Sequence, residues 1–138
     1  MTPHVAAVIE RLDAERLALA LARAFGLHVH SIERHFAQSF ATQSTTLADI
    51  AAELHAKRGG PPGPTDTHSR YLTEDIPYGL VFCTAIGRMA GVPMPATQTL
   101  IDAASLIAGR DFRADNDLLV PMGIAGESTT GLLARVTQ

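Results

Sequence analysis

The chain has 138 residues, of which 46% are hydrophobic, 18% charged and 5% aromatic, and this suits one compact domain rather than two. A chain of this length can bury a core without metal or disulfide cross-links. Eleven basic residues against fourteen acidic ones give a net charge of −3, with no run of basic residues. A nucleic-acid partner is therefore not expected, because phosphate backbones require a basic surface.

The lone cysteine, Cys83, cannot form a disulfide within the chain, and it is interpreted as a small core residue rather than a nucleophile. The N-terminus has no basic and then apolar leader. Arg, Gly or Pro interrupts each apolar stretch well before the roughly 18 residues that a membrane span needs. We therefore expect a reduced, cytoplasmic protein that does not cross a membrane.

Capping residues and apolar spacing predict a series of helices. Thr2-Pro3 begins a long helix that continues to Gly26, and Ser31, Thr46 and Ser128 each cap a later one. The other predicted helices span residues 32–40, 47–58, 76–89, 96–108 and 129–136. No alternating strand pattern or internal repeat is present. The fold class is therefore predicted as all-α, a compact multi-helix domain formed by residues 1–138.

The middle of the first helix carries two charged pairs. Arg11 with Glu15 and Asp13 with Arg16 have the spacing of neighbouring turns, which predicts solvated ion pairs worth about a few tenths of a kcal/mol each.

Two further features concern the second half of the chain. Gly59 to Pro64 contains three Gly and three Pro, which predicts an exposed loop. In the helix 96–108, Leu100, Ile101, Ala104 and Ile107 are expected to face inward.

The segment that concentrates functional groups is RYLTEDIPYGLV, residues 70–81. Thr73 is expected to cap the helix that follows, which places Glu74 and Asp75 in its first turn, and a purely structural acidic first turn has the same pattern. In the functional interpretation, the planar guanidinium of Arg70 binds a substrate carboxylate. Asp75 would then receive a cationic amine or orient a neighbour.

This segment resembles the hallmark of the α-helical C-terminal domain of the octopine/nopaline (opine) dehydrogenase family. Three shorter pieces resemble the same domain in the same order along the chain. They are Thr2-Pro3 with residues 13–16, then residues 91–95, and then residues 109–112.

The resemblance implies an enzyme that uses NADH or NADPH to condense an amino acid reductively with an α-keto acid such as pyruvate. In that family a Rossmann domain holds the nicotinamide, and the helical domain supplies substrate contacts. Carried over by position, the resemblance assigns Arg70 to carboxylate binding and Asp75 to the electrostatics of the site. Tyr71, Glu74 and Tyr78 lie in the same segment as further substrate-binding candidates, and Tyr78 could equally be a core residue with a hydrated hydroxyl.

The sequence departs from the family in what it lacks. The G-x-G-x-x-G fingerprint is absent, and the family's catalytic histidine precedes the helix that begins here at Thr2. We therefore expect no catalytic residue, no bound cofactor and no metal on this chain alone, NAD or NADP in the complete enzyme, and a separate Rossmann subunit as a possible partner. The alternative is a stand-alone, non-catalytic ligand-binding or oligomerisation domain. In either case an uncovered apolar face predicts a homo-oligomer, a dimer formed through one of the long helices.

The six histidines do not supply the missing group. His28, His30, His35 and His55 are interpreted as partly exposed structural residues, because the His28-x-His30 spacing is weak evidence for a metal site. His68, two residues before Arg70, is the one that could lend an imidazole to the cleft.

Overall fold

The computed structural model describes residues 1–20, 22, 24–60 and 63–137. Within these ranges all regular secondary structure is helical, so the all-α prediction is confirmed. The α-helices are α1 (Pro3–Ala20), α2 (Ile32–Phe40), α3 (Leu47–Arg58), α4 (Arg70–Thr73), α5 (Phe82–Ala90), α6 (Pro95–Ala108) and α7 (Thr129–Val136), and a π-helix (Asp75–Val81) joins α4 to α5. Among the described residues, no helix is both long and apolar enough to cross a membrane.

Three helices begin where their capping residues predict. The side chains of Ser31, Thr46 and Ser128 accept hydrogen bonds from backbone N–H groups three residues later, at the starts of α2, α3 and α7. Such caps satisfy amides that have no partner within the helix. The predicted bounds of α2 and α3 therefore match the structure.

The first helix is shorter than predicted. It ends at Ala20, where the carbonyl accepts a hydrogen bond from the N–H of Leu27 at 2.8 Å, so the chain turns back instead of continuing to Gly26. Of the predicted continuation, residues 21 and 23 lie outside the described residues. In the predicted loop 59–64, residues 61 and 62 also lie outside them, and the others are exposed.

The main core lies between the π-helix and α6. Ile76 and Val81 of the π-helix pack with Ile101 and Ala104 of α6 and with Phe112 from the turns that follow. The predicted inward positions Ile101 and Ala104 are thus confirmed and Leu100 is half-buried, but the prediction for Ile107 is wrong, since Ile107 is 68% exposed. The next residue, Ala108, still packs against the core, so Ile107 points to the other side of α6.

The prediction of solvated charges on α1 is also wrong. Asp13 and Glu15 are buried. Asp13 pairs with Arg16 at 2.7 Å as its spacing predicts, but its other carboxylate oxygen accepts a hydrogen bond from the N–H of Ile32 at 2.9 Å. Glu15 reaches the start of α6. Charges that resemble a surface ladder in sequence therefore hold α1 against two other helices.

Candidate functional site

The segment around residue 70 begins its helical course earlier than its sequence predicts. Ser69 is the N-cap residue of α4, so Thr73 lies inside the helix and its hydroxyl donates to the Ser69 carbonyl at 3.3 Å. The predicted capping role of Thr73 is therefore wrong. The Ser69 side chain makes no capping bond, and its Oγ is buried without a hydrogen-bond partner among the described residues. Burying a polar atom without a hydrogen-bond partner costs free energy of folding. Ser69 directly precedes Arg70 in the chain.

Residues Asp75–Val81 form a π-helix instead of the predicted first turns of an α-helix. Pro77 is its third residue. Proline has no N–H to donate, and in an α-helix its ring would clash with the carbonyl four residues earlier, so a wider turn relieves the crowding. Single π-turns are rare, and they are frequent at functional sites. The most unusual backbone of the chain thus coincides with its most unusual sequence.

The predicted binding residues lie along two consecutive helical segments, α4 and the π-helix, which are called the candidate surface here. Arg70, Tyr71, Glu74, Asp75 and Tyr78 are all exposed, and the Arg70 side chain is 74% exposed. Arg70 lies 3.6 Å from the carboxylate of Glu74, one turn on, rather than pairing with Asp75. Asp75, the first residue of the π-helix, is exposed. One cation and two carboxylates are therefore available to a ligand on this surface.

Tyr78 connects this surface to the turns that follow α6. Its hydroxyl donates to the Asp115 carbonyl at 3.5 Å. Hydrogen bonding with Asp117, partial burial and the charges of Asp117 and Asp115 raise the pKa of Tyr78, against the opposing charge of Arg110. The hydroxyl is therefore protonated at neutral pH, and its one proton is directed toward the acceptors of Asp115 and Asp117.

Asn116 is a residue that sequence reasoning missed. Its side chain is buried, and its Nδ2 donates to the Pro77 carbonyl at 2.6 Å. Its Oδ1 accepts from the N–H groups of Leu118 and Leu119, both at 3.0 Å. In sequence, Asn116 stands between two aspartates and resembles an ordinary turn residue. Only its position two residues before an apolar run could have suggested burial.

The remaining candidates lie elsewhere. His28, His30 and His35 are exposed and line, with Arg16, a cavity of about 440 Å³. His55 is exposed at the end of α3, and His68 is exposed in a turn, where its backbone N–H donates to Asp66. In the part of the chain that the structure describes, no three His, Cys, Asp or Glu side chains are arranged to hold a metal ion.

Cys83 is half-buried on α5 and lines a second cavity, of about 310 Å³, with apolar side chains that include Phe25, Phe82 and Leu132. Burial raises the pKa of its thiol, and this effect outweighs the positive charge of Arg16, which lowers the pKa. A thiol in this state is a poor nucleophile at neutral pH.

Comparison with known proteins identifies the domain. Residues 1–108 match the family model described as NAD/NADP octopine/nopaline dehydrogenase, alpha-helical domain. The chain belongs to the octopine/nopaline dehydrogenase family. It is 32% identical to the opine dehydrogenase of Arthrobacter sp. over 99% of its length and 37% of the relative's. It is also 32% identical to the vitopine synthase of Allorhizobium ampelinum, over 88% of its length and 34% of the relative's.

The chain thus spans little more than a third of the curated relatives that it matches, and the match is to the family's helical domain. The family as named uses NAD or NADP. The described residues of this chain contain no strand–turn–helix unit, which is the element that holds a dinucleotide in a Rossmann fold. The described residues therefore supply no such dinucleotide-binding element. The surface on α4 and the π-helix lies within residues 1–108, the part of the chain that matches the family model.

Proposed function

We propose that this chain is the substrate-binding helical domain of an opine-dehydrogenase-type oxidoreductase, which reductively condenses an amino acid with an α-keto acid. The observation that carries the proposal is the exposed surface of RYLTEDIPYGLV, built on a π-helix in a domain of this family. Both proposed substrates carry a carboxylate, and the amino acid also carries an amine. The surface offers Arg70 to a carboxylate and Asp75 to the amine.

Arg70 is the proposed carboxylate-binding residue. Its distance of 3.6 Å from Glu74 exceeds the roughly 2.7–2.9 Å of a strong charge-assisted hydrogen bond, and both side chains are mostly in water. An exposed pair of this kind contributes little free energy. A substrate carboxylate that accepts two parallel N–H bonds can therefore replace Glu74 at low cost.

Asp75 is the proposed partner of the amine. Its exposed carboxylate lies at the first residue of the π-helix. Glu74 lies beside it, so an ammonium group at this surface would meet two carboxylates. Tyr71 and Tyr78 supply aromatic surface next to these charges, and the Tyr71 hydroxyl can donate to a ligand.

Hydride transfer requires a nicotinamide held by a Rossmann-type domain outside these residues, in the same polypeptide or in a separate subunit. We infer that the 138 residues alone are inactive and that the complete enzyme works in the cytoplasm. The second candidate function, a non-catalytic ligand-binding or oligomerisation domain, is favoured by the exposure of Val5 and Val8 on α1. These side chains lie on neighbouring turns and could contact a second copy in a homodimer.

The experiment compares the chain alone with the chain supplied with the Rossmann domain of its source. NADH or NADPH oxidation is followed at 340 nm, with pyruvate or a related α-keto acid and a panel of amino acids. We expect turnover only when both domains are present. Turnover by the chain alone would contradict the proposal that hydride transfer requires a separate Rossmann-type domain. No turnover with both domains over the whole panel would favour the non-catalytic function.

A further inference from the structure

Asn116 joins the candidate surface to the turns after α6 by its side-chain amide. The amide is buried and uses both of its ends, with Nδ2 donating to the Pro77 carbonyl and Oδ1 accepting from the N–H groups of Leu118 and Leu119. The bond to Pro77 is 2.6 Å long and spans 39 residues of sequence. A buried carbonyl that lost such a donor would have no water to replace it, so this contact strongly favours one backbone arrangement.

That arrangement is the π-helix itself. Ile76 near its start and Val81 at its end are both buried in the core against α6, and the step from one to the other spans little more than one π-turn, which brings both to the same face, whereas the adjoining Asp75 is exposed. If residues 75–81 rewound as an α-helix, each turn would hold fewer residues. With Val81 held in the core, Ile76 would then turn away from α6, and Asp75 and the preceding α4 with Arg70 would rotate with it about the helix axis. The winding of this short segment therefore sets the direction in which both charged side chains face.

Asn116 is placed to hold that winding. It contacts the carbonyl of Pro77, the third of the seven residues of the π-helix. The neighbouring residue Asp115 contacts the next position of the π-helix by accepting from the Tyr78 hydroxyl, and its own carboxylate is held by Arg110 at 2.7 Å. Asp115 and Asn116 of the turn thus form hydrogen bonds with Tyr78 and Pro77 of the π-helix.

We propose that Asn116 is a positioning residue, which keeps Asp75–Val81 in its π-helical form and thereby orients Arg70 and Asp75 toward the substrate. This inference rests on the proposed function. Asn116 lies beyond residue 108, where the family match ends, and it touches no reacting group.

The test uses Asn116→Asp in the complete enzyme, with both domains present. The substitution keeps an oxygen that can accept from Leu118 and Leu119, but the carboxylate cannot donate to Pro77. We expect kcat/KM for the α-keto acid and the amino acid to fall about tenfold, as for the loss of one buried hydrogen bond, with KM for NADH unchanged. Gln38→Glu, an exposed amide on α2 that receives the same charge, should leave all of these constants unchanged.

A pH profile separates positioning from simple loss of stability. When the introduced carboxyl is protonated, it can again donate to the Pro77 carbonyl, so kcat/KM of Asn116→Asp should recover toward the wild-type value as the pH falls. Asp115, Asp117, Arg110 and Tyr78 also face this region, so the wild-type profile over the same range is the reference. A variant that was merely less stable would lose active enzyme at every pH and would not recover.

Amide hydrogen exchange of residues 78–82 in the same preparations completes the test, with faster exchange expected in Asn116→Asp. Wild-type turnover together with an unchanged kcat/KM in the variant would overturn this inference alone. Absence of wild-type turnover would overturn the proposed function, and unchanged exchange of residues 78–82 would overturn the role of Asn116 in either case.

Discussion

Glu15 on α1 caps the N-terminus of α6 by binding Thr97, 82 residues further along the chain. One carboxylate oxygen accepts from both the N–H and the hydroxyl of Thr97, at 2.9 and 2.7 Å, and the other accepts from the N–H of Ala96 at 2.7 Å. Met94 at the N-cap position has no oxygen in its side chain. Burial raises the pKa of Glu15, but the hydrogen bonds from Thr97 and Ala96 outweigh it and lower the pKa below its usual value.

Replacing this carboxylate should therefore separate α1 from α6. We expect Glu15→Ala to lower the free energy of unfolding by roughly 2–3 kcal/mol, because it removes charge-assisted hydrogen bonds and leaves buried N–H groups unpaired. Urea unfolding followed by circular dichroism measures the change. Glu10→Ala, which removes an exposed glutamate from the same helix, should stay within about 0.5 kcal/mol of the wild type. Equal effects of the two substitutions would contradict the capping role.

The contrast between local and distant caps explains how far the sequence predicts the fold. Ser31, Thr46 and Ser128 act on amides three residues away, so their helices are predictable from spacing alone. Glu15 acts across the fold, and its neighbours on α1 follow the pattern of a solvated ladder. The one local signal was Met94 at the N-cap position of α6, whose side chain cannot accept a hydrogen bond from the first amides of the helix.

The site was predictable to a similar degree. The composition of residues 70–81 predicts a candidate site, because it combines Arg, two carboxylates and two tyrosines. The π-helix was not predictable, since Pro77 is also tolerated in the first turn of an α-helix. It depends on contacts with α6 and with Asn116, which lie far along the chain.

The Glu53 carboxylate predicts a loss of stability in acid. Its hydrogen bonds with Lys57 and Ser44 hold its pKa at about 2, with Gln43 contributing a further N–H. The folded pKa lies below the unfolded value of 4.5, so the contribution is complete above that value and is lost as the pH falls toward about 2.

Unfolding of the wild type and of Glu53→Gln by urea, at several pH values between 6 and 2.5, tests this prediction. The wild type should be more stable at pH 6, and the difference should shrink through the window below pH 4.5 as Glu53 becomes protonated. Glu10→Gln serves as the control and should show no such convergence. A difference that stayed constant down to pH 2.5 would rule out the assigned linkage.

Gly87 predicts a close contact between α5 and the turn before α6. A Cβ built at this position would lie 2.6 Å from the Met94 sulfur and 3.0 Å from the Val92 carbonyl oxygen. The Met94 side chain can move, but the Val92 backbone cannot move easily. Gly87→Ala should therefore cost roughly 1–3 kcal/mol by overpacking. A Cβ at Gly79 would meet no described atom within 4 Å, so Gly79→Ala should be neutral or slightly stabilising. Thermal unfolding should therefore show a clear fall in melting temperature for Gly87→Ala and no fall for Gly79→Ala.

The proposed homodimer predicts sensitivity at the exposed valines of α1. Val5 and Val8 are 51% and 55% exposed, and a charge placed there would have to be desolvated in an apolar contact. In sedimentation velocity runs we expect the wild type to sediment as a dimer and Val8→Glu as a monomer with unchanged helicity. Ser39→Glu, on the exposed part of α2, should remain dimeric. A monomeric wild type at high concentration would refute the dimer.

Arg70 offers the most direct test of substrate binding, because its exposure separates function from stability. Its weak pairing with Glu74 predicts that Arg70→Ala leaves the melting temperature unchanged. In the complete enzyme the same substitution should raise KM for the α-keto acid about 10- to 100-fold, as expected for the loss of one charge-assisted carboxylate pair. Arg70→Lys should recover only part of this, because an ammonium cannot form two parallel bonds. Arg34→Ala removes an exposed arginine from α2 and should leave KM unaltered, so an equal rise in both alanine variants would show that general surface charge, not Arg70, attracts the substrate.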